Sequence, residues 1–221
     1  MKRVKSKVVD VGGVKIGGNH PIVVQSMTNT STEKIDATLN QVERLVDRGC
    51  ELVRVAVPDS NAGEALPVIV DRSPVPIIAD IHYSPELAFM ALEAGVDKLR
   101  LNPGNITDQK AIEGIARKAS SLSIPIRVGV NSGSLNKDIL AKYGKTPKAM
   151  VRSAEKEIEL LEEQGFDDIV VSLKSSEVNK TIKANEMFSR KYDYPLHLGV
   201  TEAGGGRSGL IKSAIGIGTL L

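Results

Sequence analysis

The stretch Arg48-Gly49-Cys50-Glu51-Leu52-Val53-Arg54-Val55-Ala56-Val57 decides the fold. A glycine closes a helical pattern, an acidic residue follows, and a short β-branched run comes next. Gly49 stands where a helix C-terminus calls for a left-handed residue. The run Leu52–Val57 is brief and nearly continuous in apolar character, which suits a parallel strand covered by helices.

The same unit recurs along the chain. AGVDKLRLN at 94–102 and QGFDDIVVSL at 164–173 repeat the order of glycine, acid and apolar run. Working outward from these, strands are expected at Ile22–Ser26, Leu52–Val57, Pro76–Ile81, Lys98–Leu101, Ile126–Val130, Ile169–Leu173 and Leu196–Val200. Helices fall between them. Ser84-Pro85 and Thr146-Pro147 read as an N-cap followed by a first-turn proline. Ile35, Leu39, Val42 and Val46 line one helix face, and Val151, Ala154, Ile158 and Leu161 line another. Such alternation of strand and helix argues a parallel α/β fold. No GxGxxG follows the first strand, so a dinucleotide-binding sheet loses support and a TIM-type (β/α)8 barrel is the expected architecture.

Two features modify that barrel. Gly12-Gly13 between two short alternating runs reads as a β-hairpin, so residues 1–20 are expected to close the N-terminal mouth. Residues 21–221 then form the barrel, lacking its last strand and helix, because LIKSAIGIGTLL at 210–221 reads as the seventh helix. An open barrel leaves two unpaired strand edges. The chain is therefore expected to be a piece of a longer protein, or to be completed by another chain, and to be poorly soluble alone.

Composition excludes several partner classes. Lys and Arg number 29 against 27 Asp and Glu, a formal net charge of +2, so no overall field draws the chain to nucleic acid or a membrane surface. Aromatics make up 3% with no Trp, which removes a stacking platform for single-stranded bases. The single cysteine, Cys50, forms no internal disulfide and suits a reducing cytosol. The basic start lacks a following apolar run, and no stretch approaches the ~18 apolar residues of a membrane span. A cytoplasmic location is the expectation.

The chemistry sits at the strand ends, where barrel active sites gather. Side chains alternate along a strand, so polar residues at period two share one side. On that pattern Arg54, the pair Asp80 and His82, the pair Arg100 and Asn102, the series Arg127, Gly129 and Asn131, and the pair Ser172 and Lys174 face the interior or its mouth. Glu202 stands at the exit of the seventh strand. Arg54, Arg100, Arg127 and Lys174 against the acids Asp80 and Glu202 leave an excess of positive charge. Guanidinium forks match phosphate oxygens two at a time, so a small phosphate or diphosphate is the expected ligand. Gly104, Gly129 and Gly133 suit a close approach of backbone N–H groups to that ligand. The loop Gly204-Gly205-Gly206-Arg207-Ser208-Gly209 precedes a helix, a common phosphate position. His197 reads as internal packing, His20 as structural, and Cys50 as a small buried hydrophobe at the opposite end. Clustered metal ligands are lacking, so no metal site is expected.

These motifs together resemble one family. VQSMTNT (24–30), LVRVAVP (52–58), ADIHY (79–83), KLRLNPGN (98–105), RVGVNSGSL (127–135), VVSLKSS (170–176), LHLGVTEAG (196–204) and SAIGIGTLL (213–221) resemble the 4-hydroxy-3-methylbut-2-en-1-yl diphosphate synthases. These are iron–sulfur enzymes of the methylerythritol phosphate route to isoprenoids. The resemblance implies a substrate, 2-C-methyl-D-erythritol 2,4-cyclodiphosphate, opened reductively with loss of water. It implies diphosphate contacts from Arg54, His82, Arg100, Asn102, Arg127, Asn131, Lys174 and Ser208, with Asp80 also at the site and Glu202 as the proton-transferring acid. It further implies a 4Fe-4S cluster on a separate C-terminal domain, a homodimer, and flavodoxin or ferredoxin as electron donor. The cluster's cysteines have no match here, so the barrel alone is expected to bind substrate without reducing it. GGGRSG departs from the family pattern, which bears on Arg207 and Ser208. Two other readings are a non-redox barrel enzyme similar to pteroate synthases and a catalytically inert diphosphate-binding module.

Overall fold

A computed structural model of the chain describes residues 5–81, 84–101 and 108–221. Two short strands come first, β1 (Val8–Val11) and β2 (Val14–Gly17), paired antiparallel with Val11 opposite Val14. Gly12 and Gly13 turn between them at φ 57° and 89°, backbone that side chains with a Cβ rarely adopt. Then the chain alternates: β3 (Gln25–Met27), α1 (Ile35–Val46), β4 (Leu52–Val57), α2 (Ser60–Arg72), β5 (Ile77–Ile81) and α3 (Pro85–Glu93). It continues with β6 (Lys98–Leu101), α4 (Gln109–Leu122), β7 (Ile126–Asn131), α5 (Lys137–Tyr143), α6 (Pro147–Glu162), β8 (Ile169–Lys174), α7 (Val178–Ser189) and α8 (Gly206–Gly218). Strands β3 to β8 make one six-stranded parallel sheet in chain order.

Local chemistry sets the boundaries. Ser84 and Thr146 accept hydrogen bonds from the Leu87 and Ala149 amides, capping α3 and α6 just before their prolines. Asp59 and Asp108 cap α2 and α4 in the same way. Gly49, Gly95 and Gly165 each take positive φ directly after a helix, as the repeated unit predicts.

The helices bury Leu39, Val42, Leu66, Ile69, Ile115, Ile158 and Leu161 against outward-facing Val53, Val55, Ile77, Leu99, Ile126, Ile169 and Val171. A second, smaller cluster lies on the other side of the sheet. There Val9 and Val11 of the hairpin pack on Leu52, Ile78 and Val170, so the hairpin lies under the N-terminal halves of the strands. The register lines these residues up with the charged ones: Arg54 pairs with Ile78, Asp80 with Arg100, Arg100 with Arg127, and Asn131 with Lys174.

Two expectations need correction. The strand placed at Ile22–Ser26 forms later, at Gln25–Met27, and Ile22 and Val24 are exposed. The Val24 amide is held by the Glu51 carboxylate instead of a ladder partner. The strand placed at Leu196–Val200 is not a strand. It touches β8 through one parallel bridge, Leu196 to Val171, with the His197 amide donating to the Val171 carbonyl at 2.8 Å. Both segments flank the sheet's open edges, where a partner on one side only gives half the hydrogen bonds of an inner strand. The helix α5 was not anticipated; Asn136 caps it by accepting from the Asp138 amide.

Candidate anion site

Four strands deliver cations to one interior space. Arg54 comes from β4, Lys98 and Arg100 from β6, Arg127 from β7 and Lys174 from the end of β8. All sit at alternate positions, so one parity of the parallel sheet carries them inward. Asp80 on β5 is the carboxylate that the described residues set against them. Arg100 Nη1 donates to Asp80 Oδ1 at 2.8 Å, and Arg54 Nε lies 3.7 Å from Asp80 Oδ2. Arg54 also points its Nε and Nη2 at the Met27 sulfur, 3.1 and 2.9 Å away.

The interior donors outnumber their acceptors. Arg127 is 1% exposed and gives one hydrogen bond, from Nη1 to Ser172 Oγ at 2.8 Å. Its Nε and Nη2, the Arg100 Nε and the Lys98 Nζ are buried without hydrogen-bond partners among the described residues. Buried donors are nearly always satisfied in folded proteins, and leaving one unpaired costs about 1–3 kcal/mol. Three of these atoms, on Arg100 and Arg127, suit an acceptor-rich anion, while the fourth, Lys98 Nζ, lies deeper along β6.

Electrostatics follow from the crowding. Burial, then the Arg127 and Arg54 guanidiniums, push the Lys98 ammonium down to about 7. Burial, then Arg127, Arg54 and Arg100, push Lys174 down to about 7 as well. Burial and the same cations hold His197 well below the ordinary imidazole value, so it is neutral at physiological pH. A guanidinium keeps its proton in proteins, so the lysines and the histidine yield theirs.

Two glycines make room for the cations. A Cβ on Gly129 would stand 2.9 Å from Arg100 Nε, and one on Gly199 would stand 3.0 Å from Lys174 Nζ. Besides any approach of its backbone to a ligand, the bare Cα of Gly129 admits a neighbouring guanidinium.

The other expected site residues divide. Asn131, half-buried, stands beside Lys174 at the strand ends. Glu202 follows the 196–200 segment, exposed, at φ 50°, and its side chain makes no hydrogen bond or ion pair among the described residues. Ser208 is exposed in the first turn of α8. His82 and Asn102 lie outside the described residues, as does Gly104. Sequence reading missed Lys98, although it stands two residues before Arg100 and shares its parity. A lysine opening a strand reads as a solvated end, and only its 0% exposure reveals otherwise.

A parallel α/β barrel sheet with a cation-lined interior defines the class: a barrel protein whose strands turn buried cations inward. Comparison with known proteins narrows it. The family model described as the GcpE TIM-barrel domain matches residues 6–221, and the chain belongs to that family. It is 52% identical over 222 aligned positions to the 4-hydroxy-3-methylbut-2-en-1-yl diphosphate synthase (flavodoxin) of Persephonella marina, covering all of this chain and 63% of that protein. The enzyme of the same name from Aquifex aeolicus is 50% identical over 218 positions, covering 98% of this chain and 61% of the relative. The chain thus spans about three fifths of these relatives' length. Among solved structures, dihydropteroate synthase of Yersinia pestis superposes with a TM-score of 0.69 at 13% identity, covering 96% of this chain and 87% of the other. A truncated 3-deoxy-D-arabino-heptulosonate 7-phosphate synthase of Thermotoga maritima gives 0.68 at 15% identity, covering 97% and 77%. At such identities these likenesses are of fold alone.

Proposed function

We propose that this chain is the substrate-holding barrel of a 4-hydroxy-3-methylbut-2-en-1-yl diphosphate synthase and that its cation ring binds 2-C-methyl-D-erythritol 2,4-cyclodiphosphate. One observation carries the reading: buried donors of Arg100 and Arg127 stand without acceptors in the interior of a barrel whose relatives bear that name. In this reading Arg54, Arg100, Arg127 and Lys174 hold the two phosphoryl groups, with Asn131 donating from the end of β7 and His82, Asn102 and Ser208 completing the contacts. Asp80 fixes Arg100 and Arg54 before the ligand arrives, so their placement costs little at binding. Charge-assisted bonds of about 1.5–3 kcal/mol each support a micromolar complex after association costs. Glu202, at the exit of the 196–200 segment, is the candidate acid for the departing hydroxyl group.

The 4Fe-4S cluster that the family implies supplies electrons for the ring opening, and this chain's residues do not fit it. Such clusters need several thiolates. Cys50 is the sole cysteine, and it is buried at the start of β4 with its Sγ 3.2 Å from the Leu52 carbonyl oxygen. No redox step is therefore assigned to residues of this chain. Electron delivery by a flavodoxin, the donor in the relatives' names, or by a ferredoxin, a homodimeric assembly and a cytoplasmic setting complete the proposal.

The test is titration calorimetry with the cyclic diphosphate. Micromolar binding is expected for the native protein, weakened at least a hundredfold in Arg100→Ala and in Arg127→Ala, each losing two or more charge-assisted bonds worth about 1.5–3 kcal/mol apiece. Equal affinity in the variants, with folding intact by circular dichroism, overturns the assignment.

A further inference from the structure

Lys98 stands outside the proposed ligand contacts, yet it is fully enclosed. Its side chain is 0% exposed and its Nζ has no hydrogen-bond partner. It pairs across the sheet with Ile78, two residues below the level where Asp80 meets Arg100. Two residues along a strand at about 3.3 Å each place its Cα about 7 Å deeper than that of Arg100. Below it the hairpin valines and Ile78 offer hydrocarbon, not water.

The charged groups sharing this interior are Arg54 from β4, Asp80 from β5, Arg100 from β6, Arg127 from β7, Lys174 from β8 and His197 from the segment beside β8. Asp80 is committed to Arg100 and Arg54. Lys98 therefore faces like charge with no described counter-ion, a state that costs much less once the ammonium gives up its proton.

We propose that Lys98 is the buried counter-charge of the anion site: it touches no ligand, and it takes up a proton when an anion fills the ring above it. An incoming dianion cancels the repulsion that holds Lys98 neutral, and the ammonium, once formed, attracts the anion in return. The two events are linked and reciprocal. Lys174, nearer the mouth, adds its own proton through the same field. The burial-driven fall of both lysines to about 7 places this exchange at physiological pH. The inference rests on the anion-site reading above and deepens it, making Lys98 a positioning residue that acts through charge.

Sulfate is the probe, because its own charge is constant near neutral pH, so any proton taken up belongs to the protein. Titration in two buffers of unlike ionisation enthalpy, at a pH slightly above 7, measures the protons bound per sulfate. Net uptake is expected in the native protein and should lose the lysine share in acid, where both lysines already carry protons and only His197 is left to respond. In Lys98→Met the uptake should fall by about half and the affinity several-fold. In Lys98→Arg, which keeps a fixed charge, sulfate should still bind while the uptake again falls by about half; a merely structural lysine would not separate charge from proton count in this way. Should Lys98→Met fail to fold, the arginine variant and the native pH profile decide. Sulfate binding with undiminished uptake in the variants overturns the role of Lys98 alone. A native protein that binds no sulfate at all overturns the anion site itself, and this inference with it.

Discussion

Asp80 holds the interior together at the scale of single residues. It anchors Arg100 at 2.8 Å and lies 3.7 Å from Arg54, and it is 3% exposed. Removing one partner of a buried ion pair costs about 3–5 kcal/mol, because the charge left behind has no compensation. Asp80→Asn should therefore lower the ligand-free melting temperature sharply. Sulfate should restore part of the loss, since an added anion supplies the missing negative charge; a melting temperature that ignores sulfate would refute this account. The cation pattern itself is legible in the sequence, because residues at period two on a parallel strand must share a side. Arg54, Asp80, Arg100, Arg127, Ser172 and Lys174 all followed that rule. Lys98 obeyed it too, but enclosure at a strand's first residue depends on what packs beneath, and the hairpin that does so is distant in sequence. The fit of Gly129 to Arg100 was equally hidden, since it joins two strands through space.

At the scale of elements, local signals were reliable where local forces decide. The caps at Ser84 and Thr146 and the left-handed glycines at 49, 95 and 165 needed only neighbours in sequence. Strand limits were not local. Ile22–Ser26 and Leu196–Val200 have apolar patterns as good as any inner strand, yet a strand exists only where a second backbone completes its ladder. Helix α8 shows the same dependence. Its apolar Leu210 and Ile211 are 71% and 58% exposed, and it buries Gly209 and Gly216. A Cβ at Gly216 would come within 2.6 Å of a Val200 methyl group, so the close approach of α8 to the 196–200 segment depends on that glycine. Gly216→Ala should loosen this contact at a cost of about 1–3 kcal/mol, the usual penalty for overpacking, despite the better helix propensity of alanine. Chemical denaturation of the two proteins measures it, and a more stable variant would contradict the packing.

The whole molecule should respond to pH through its interior bases. Lys98 and Lys174 sit near 7 when folded and near 10.4 when unfolded, so between those values the unfolded chain binds protons that the folded one lacks. Stability then rises with pH. Glu157 opposes this: burial raises its carboxyl to about 8, so folded protein holds its proton from about 4.3 up to that pH, and stability falls across that window. The rise is therefore clearest between about 8 and 10. On acidification below about 6.5, neutral His197 costs stability, since the unfolded imidazole takes the proton first. Melting temperatures of ligand-free protein across this range check the sign; a steady decline from pH 8 to pH 10 would reject the buried lysines as neutral bases.

The two bare Cα atoms facing the cations carry a historical implication. Arg100 occupies the space that a side chain at 129 would take, and Lys174 the space of one at 199. A side chain at 129 presses on the Arg100 guanidinium, while at 199 the flexible end of Lys174 has only to give by a few tenths of an ångström. A lineage leaving anionic ligands behind would thus find 100 tied to 129 more tightly than 174 to 199. Selection acting on one substitution at a time meets a barrier there, which preserves the charged interior even where the demand for its ligand relaxes.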